Sequence, residues 1–233
     1  MLGLTKKSKD KKKTKKDKKV EEEVCEEESE EGQQVTLVDL LAGGAEETGP
    51  ESRSIMFVGE VTEEKSADLI SALLVLAQTK DEDEERAEDI KLYLSTYGGS
   101  ADEMFGIYDV INFCKQFCDI ETIGLGKVMS AGVLLLASGA EGCRFIGRNT
   151  RVMIHSLRAG HAGAMHELET EYEETKWLQD QYIQALSSVT NMNKRMIKKM
   201  MERKTNVYIN AEQAIEYGIA DKLLDQSYWD APE

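Results

Sequence analysis

The sequence predicts an α/β domain in which helices cover a parallel sheet. Short apolar segments typical of buried strands alternate with longer amphipathic segments through most of the 233-residue chain. Parallel strands that follow one another in sequence require such helical connections. Hydrophobic residues make up 41% of the chain, a fraction that is sufficient for a substantial core.

In the first half of the domain, the pattern predicts three strands and two helices. The expected strands are 55–58, 90–94 and 120–123, and the expected helices span about 63–79 and 101–117. A charged loop is expected at 81–88. Two adjacent glycines within 95–100 predict a tight turn.

In the second half, an apolar helix is expected to begin just after Ser130 and to continue through the segment 133–138. The elements expected next are a strand at 151–154, a long polar helix at about 164–188, a shorter helix at about 193–203 and a strand at 206–209. Asn210 then caps a last helix, in which Gln213 completes a capping box and Gly218 ends the helix.

Charge divides the chain into a neutral tail and an acidic body. Residues 5–19 contain ten Lys and two Asp, and residues 21–31 contain eight Glu, so these two blocks cancel. The rest of the chain holds 19 basic and 34 acidic residues and carries the whole net charge of −15. We therefore expect a disordered charged tail over 1–51 with an apolar island at 35–41, a folded domain over 52–226 and a C-terminal tail over 227–233.

Several classes of protein are disfavoured by these features. An acidic body argues against nucleic-acid binding, because phosphate contacts need clustered cations. No apolar run is long enough for a membrane helix, and no apolar segment follows the Lys-rich start as it would in a secretory signal. Cys114 and Cys118 lie four residues apart on an expected helix and are explained as buried apolar residues rather than metal ligands. We expect a cytoplasmic protein with no metal, cofactor, nucleic acid or membrane partner.

Three strand ends carry residues suited to catalysis. Glycines at 98 and 99 leave backbone N–H groups accessible, Ser130 stands at the start of the buried helix, and His155 directly follows a strand. A serine hydroxyl becomes a good nucleophile only when a nearby base accepts its proton. Of the three histidines, His155 alone follows a strand, whereas His161 and His166 fall in a glycine-rich loop and on a polar helix.

Each of these residues also has a purely structural explanation. Ser130 can be a helix N-cap, the glycine pair an ordinary turn and His155 a buried core histidine. An α/β-hydrolase site is excluded on two grounds. Its G-x-S-x-G motif would need glycine where Val128 stands, and its histidine follows the acid in chain order.

Several motifs in the same order resemble the proteolytic subunit of the ATP-dependent Clp protease. The matching segments are 93–100 (YLSTYGGS), 107–109 (IYD), 126–136 (GKVMSAGVLLL), 139–145 (GAEGCRF), 149–155 (NTRVMIH) and 211–221 (AEQAIEYGIAD). The resemblance implies a ClpP/crotonase-like fold, a repeated β-β-α spiral with a protruding handle helix. The long helix at about 164–188 corresponds to that handle.

The resemblance also implies roles for single residues. Ser130 falls at the nucleophile, His155 at the general base, and Gly99 and Ala131 at the backbone donors of the oxyanion hole. Asn206 stands where the family has its catalytic aspartate, and it is either the third member of the site or a polar turn residue. Asp221 is a weaker alternative for that position. Tyr97 replaces a proline that precedes the two glycines in the family.

The function implied is that of a serine-type endopeptidase that cleaves unfolded polypeptides. Its partners would be further copies of the chain in two stacked heptameric rings, or other subunits of a mixed Clp ring, and an AAA+ Clp ATPase. The alternative is a catalytically weak, ClpR-like structural subunit, which is suggested by Asn206 and by the lack of a recognisable pore-lining segment in 1–53. A crotonase-fold acyl-CoA enzyme is a third hypothesis, and it does not need the pair of Ser130 and His155.

Overall fold

The computed structural model describes residues 53–79, 85–202, 205–225 and 228. The predicted tail at 1–51, with its apolar island, lies outside the described residues, and so does the C-terminal tail apart from Tyr228. The domain boundaries predicted at 52 and 226 also fall outside them, and the division into tail and domain stays a prediction.

The described part of the chain is a mixed α/β fold with seven strands and six helices. The strands are β1 (Ser54–Val61), β2 (Ile90–Gly99), β3 (Ile120–Met129), β4 (Arg144–Gly147), β5 (Arg151–Ile154), β6 (Val207–Ile209) and β7 (Lys222–Leu224). The helices are α1 (Glu63–Gln78), α2 (Ala101–Cys114), α3 (Ala131–Ala137), α4 (Met165–Val189), α5 (Lys194–Met201) and α6 (Ala211–Glu216). The predicted fold class is confirmed.

The sheet is parallel except at its last pair. Its main path runs β1-β2-β3-β4-β7, and β5 adds to β3 beyond the end of β4. β3 is long enough to pair with β4 along Thr122–Gly124 and then with β5 along Lys127–Met129. The short β6 pairs antiparallel with β5. The carboxyl ends of β3 and β5 therefore lie side by side, and Ser130 and His155 follow these two ends.

Three strands, β1, β2 and β3, are longer than predicted, and the predicted tight turn at 95–100 is wrong. β2 continues through Gly99 and pairs with β1 as far as Val61. Its pairing with β3 shifts register between Leu94 and Thr96, and such irregularities bend a strand without ending it. The pairing of β2 with β1 also shifts, between Ser95 and Gly98, and glycine accommodates this second irregularity because it adopts a φ of +95° at Gly98.

Other element ends also differ from the prediction. α2 ends at Cys114, three residues earlier than expected, and a turn follows it. β4 and β7 were not predicted, because β4 begins with Arg144 and β7 has only three residues. In the charged loop expected at 81–88, residues 85–88 contain no helix or strand and 81–84 lie outside the described residues. The capping box of Asn210 and Gln213 is confirmed.

Helices α3 and α4 occupy very different environments. Every residue of α3 is buried. In α4, by contrast, the buried residues are Tyr182, Ile183 and Leu186, all near its C-terminal end. Residues 169–174 are all exposed, so the N-terminal half of this 25-residue helix stands clear of the core. This agrees with the predicted protruding handle.

The two cysteines of the predicted helix are structural. Cys114 and Cys118 are fully buried in the hydrophobic core. Burial, with a smaller contribution from Cys118, raises the pKa of the Cys114 thiol to about 11, so the thiol stays protonated. Within the described residues, no helix is long and apolar enough to cross a membrane.

Candidate active site

Ser130 occupies a strained turn between β3 and α3. Its φ is +55° and its ψ is −119°, and among the described residues it is the only non-glycine with a positive φ. Such a conformation costs about 1–3 kcal/mol and persists only when neighbouring contacts hold it. Here the Ser130 N–H donates to the carbonyl of Met153 at 2.8 Å, and the Ser130 carbonyl accepts from the Val133 N–H at 3.1 Å.

The structural explanation of Ser130 as a helix N-cap is not supported. Ser130 has the N-cap position of α3, but its side chain makes no capping hydrogen bond. N-cap residues normally have extended backbone and a side-chain oxygen that accepts from the first turn of the helix. The hydroxyl of Ser130 is therefore not used to stabilise α3.

His155 follows β5 and is half-buried beside this turn. Its Nδ1 lies 2.5 Å from the carbonyl oxygen of Ser156. Since a carbonyl only accepts hydrogen bonds, the geometry assigns the proton of the neutral ring to Nδ1 and leaves Nε2 as a free acceptor. Burial lowers the pKa of His155, and the positive charge of Arg158 lowers it further against the opposing effect of the Ser156 carbonyl. The ring is therefore neutral at pH 7.

The four residues on which the predicted site depends line one cavity. It has a volume of ≈730 Å³, and Gly99, Ser130, Ala131 and His155 all contribute to its wall. No hydrogen bond joins Ser130 to the imidazole of His155 in the described part of the chain. Ala131 is the first residue of α3, so its N–H has no partner within the helix and is available to an incoming group.

Close packing explains why glycine stands at position 98. A Cβ atom there would lie 2.5 Å from the Ser130 Cβ and 3.0 Å from the Ser130 Oγ. The Gly98 N–H donates to the Oγ1 of buried Thr96 at 2.9 Å, which fixes the end of β2. The backbone of β2 thereby approaches the serine directly, and Gly99 follows at the cavity wall.

Asn206 lies beside His155 but is bound to another residue. The antiparallel register pairs Val152 with Ile209 and Ile154 with Val207, so continuing it by one residue puts His155 opposite Asn206. The Oδ1 of Asn206, however, accepts from the Nη2 of Arg158 at 3.3 Å. Asn206 does not line the cavity, whereas Arg158 does. The predicted third residue is adjacent to the site, but it is not bonded to the histidine.

Asp221, the weaker alternative, has a structural role elsewhere. Its carboxylate accepts from Nε and Nη2 of Arg144 and from the N–H of Gly142. Arg144 in turn donates to the carbonyls of Val189 and Gly218. This network ties β4 to the segment around α6, and it leaves Asp221 no part in the cavity.

Sequence reasoning missed three residues of the site. Thr96 supports Gly98, Arg158 binds Asn206, and the hydroxyl of Tyr182 donates to the carbonyl of Ser130 at 3.2 Å. The tyrosine belongs to the buried stripe of α4, where nothing in the pattern distinguishes it from an ordinary core residue. At the rim, the ring of Tyr97, at the family's proline position, lies 4.8 Å from the Lys127 ammonium.

The sequence profile of the Clp protease matches residues 49–227, a range that includes every residue of the cavity wall. The chain belongs to the Clp protease family. The parallel α/β sheet and the exposed N-terminal half of α4 agree with the ClpP/crotonase-like fold of that family. Among the described residues of this family member, no group of three or more His, Cys, Asp or Glu side chains could hold a metal ion.

Proposed function

We propose that the chain is a proteolytic subunit of an ATP-dependent Clp protease and acts as a serine-type endopeptidase. The observation that carries the proposal is the shared cavity of Ser130 and His155. The serine hydroxyl makes no capping bond, and the histidine has the tautomer that a general base needs. The proposed substrate is an unfolded polypeptide.

In the proposed reaction, the Ser130 Oγ attacks the carbonyl carbon of the peptide bond while Nε2 of His155 takes the hydroxyl proton. The negative charge that forms on the carbonyl oxygen is bound by the N–H groups of Gly99 and Ala131. Losing one such donor typically costs ~3 kcal/mol of transition-state stabilisation. His155 then gives its proton to the leaving amine. A water molecule, deprotonated by His155, hydrolyses the acyl-serine and restores both residues.

The carbonyl of Ser156 performs part of the role usually given to an aspartate. In chymotrypsin-type proteases, replacing the aspartate by asparagine lowers turnover by about 10⁴ because the histidine takes the wrong tautomer. Here the Ser156 carbonyl already holds the proton on Nδ1. The missing contribution is the negative charge that stabilises imidazolium. We therefore propose a peptidase slowed by less than the full aspartate-to-asparagine effect.

The proposed assembly is two stacked heptameric rings, of this chain alone or mixed with other Clp subunits, in the cytoplasm. Three large hydrophobic side chains of α4, Met165, Tyr172 and Trp177, are more than half exposed. Exposed apolar groups on a protruding helix are suited to contact with another subunit. An AAA+ Clp ATPase is the proposed source of unfolded substrate.

A second candidate function is a catalytically weak, ClpR-like structural subunit of a mixed ring. It is favoured by the bond between Asn206 and Arg158, which holds the third residue away from His155. In this case the chain would supply ring walls while a second type of Clp subunit performs the cleavage.

Labelling with a fluorophosphonate tests the first function. The assembled protein should be modified at Ser130, and both labelling and peptide hydrolysis should disappear in Ser130→Ala. Absence of label on the folded, assembled wild-type protein contradicts the endopeptidase. In rings reconstituted with an active Clp subunit, activity that survives Ser130→Ala would instead support the structural subunit.

A further inference from the structure

The hydroxyl of Tyr182 reaches from α4 to the turn that carries Ser130. The side chain is 4% exposed, and its hydroxyl donates to the Ser130 carbonyl oxygen at 3.2 Å. Burial raises the pKa of this phenol, so the group remains a hydrogen-bond donor throughout the neutral range. The contact joins the helix that projects from the core to the residue proposed as the nucleophile.

The accepting carbonyl belongs to a peptide unit whose other end is the Ala131 N–H. A peptide unit is planar and trans, so its C=O and N–H point in opposite directions and turn together. A hydrogen bond that fixes the direction of the Ser130 carbonyl therefore fixes the direction of the Ala131 N–H as well. Donation to the carbonyl also polarises the peptide unit and strengthens its N–H as a donor.

The same bond opposes relaxation of the turn. Ser130 has a positive φ, and a non-glycine residue in this region tends toward a less strained conformation unless its neighbours prevent it. The Ser130 N–H is held by Met153 and the carbonyl by Val133. Tyr182 supplies the additional bond to the carbonyl from a different helix.

We propose that Tyr182 is a positioning residue that aims the Ala131 N–H into the cavity and holds Ser130 in its strained conformation. This inference rests on the proposed peptidase function, since it takes the role of the Ala131 N–H to be binding of the oxyanion that forms in that reaction. Tyr182 also contributes to the cavity wall, but its hydroxyl is bonded to the Ser130 carbonyl and acts through the peptide unit between Ser130 and Ala131.

Tyr182→Phe is the appropriate variant, because it keeps the buried ring and removes only the hydroxyl. Tyr208→Phe is a matched control: it makes the same chemical change at a residue of β6 whose side chain is 52% exposed and lies outside the cavity. A residue that merely fills the core would lower the melting temperature and leave kcat of the folded protein unchanged. A positioning residue lowers kcat at constant KM.

We expect Tyr182→Phe to lower kcat and the fluorophosphonate labelling rate by a common factor of about 10, with KM within about twofold of the wild type. The factor is smaller than the roughly 10²–10³ seen when an oxyanion donor is removed, because the Ala131 N–H is misdirected rather than lost. Tyr208→Phe should match the wild type in all three quantities. Equal labelling rates in Tyr182→Phe and wild type, at a temperature where both are folded, would overturn the inference.

Amide hydrogen exchange separates this result from a failure of the proposed function. The Ser130 N–H is bonded to the Met153 carbonyl of β5 and the Val133 N–H to the Ser130 carbonyl, so the exchange of both amides reports opening of the turn without any need for catalysis. We expect faster exchange at both amides in Tyr182→Phe and unchanged exchange in Tyr208→Phe. If the wild type takes no fluorophosphonate label, the peptidase proposal fails, and the exchange rates still decide whether Tyr182 holds the turn. Unchanged exchange in Tyr182→Phe contradicts the positioning role in either case.

Discussion

Replacing Gly98 by alanine should disable Ser130 far more than it destabilises the fold. The new Cβ would lie 2.5 Å from the Ser130 Cβ and 2.9 Å from the Met129 carbonyl oxygen. Carbon atoms pack at about 3.5–4.0 Å, so the serine has to move by about 1 Å or more. A displacement of this size at a reacting group can cost about 10²-fold in rate.

The chain offers a control that separates this clash from backbone strain. Gly142 has a φ of +84°, close to the +95° of Gly98, but a Cβ on Gly142 would meet nothing within 4 Å. A non-glycine residue in the left-handed region costs about 1–2 kcal/mol. For a domain of this size, 1 kcal/mol shifts the melting temperature by about 2–4 °C. Gly142→Ala should therefore melt a few degrees lower and keep its activity.

The assay is the fluorophosphonate labelling rate at Ser130, measured for both variants below their melting temperatures. We expect Gly98→Ala to label about 100-fold more slowly than Gly142→Ala, and to melt at the same temperature or lower. The reasoning is refuted if the two variants label at the same rate. That result would mean that the close approach of β2 does not determine the position of the serine.

Three further predictions concern the charged and titrating groups. Because burial destabilises the protonated form of His155, peptidase activity should rise with pH around a midpoint below the usual pKa of 6.5 and remain constant through neutral pH. A pH–rate profile with its midpoint above 6.5 would contradict this. The lowered pKa of His155 also affects the free energy of unfolding. This free energy is not reduced above pH 6.5, and it decreases as the pH falls from 6.5 toward the folded-state pKa. Asn206→Asp adds a carboxylate beside Arg158 and opposite His155. It should raise the midpoint of that pH–rate profile, and it should raise the rate at pH 7 by about tenfold or more. An unchanged rate and midpoint would identify Asn206 as a polar turn residue. Asp221→Asn breaks a largely buried ion pair with Arg144 and should cost about 3–5 kcal/mol in urea unfolding, and a loss below 1 kcal/mol would contradict the role given to this pair. Burial alone would raise the pKa of Asp221, but Arg144 outweighs it and lowers the pKa, so the stability from this pair is present at neutral pH and is lost as the pH falls through the folded-state pKa.

The alternation of apolar and amphipathic segments was sufficient to predict the order of most elements. It failed at β2. The sequence around the glycines at 98 and 99 indicates a turn by itself, whereas pairing of this segment with β1 as far as Val61 keeps the glycines in the sheet. A register shift depends on two strands at once and leaves no signal in either one. β7 is only three residues long and forms because β4 provides a partner.

The candidate site was predictable only as far as it depends on strand ends. Ser130 and His155 each follow a strand, and β3 and β5 are neighbours, so these residues share a cavity as the pattern suggested. Contacts from other elements could not be predicted. Tyr182 comes from α4, and Arg158 comes from the segment after β5 and donates to Asn206.

The same geometry explains why the two candidate functions differ in degree. Holding the tautomer and stabilising the imidazolium are separate tasks, and only the first is performed here, by the Ser156 carbonyl. No carboxylate of the described residues is among the groups that shift the pKa of His155, and the lowered pKa makes the ring a weaker base, although it is ready to accept a proton at neutral pH. The oxyanion hole and substrate binding together preserve about 10³–10⁴-fold of rate enhancement when a member of a catalytic triad is lost. Peptide hydrolysis by this chain should therefore be slow and measurable, and its rate relative to a second subunit in the same ring decides whether the chain contributes cleavage or only structure.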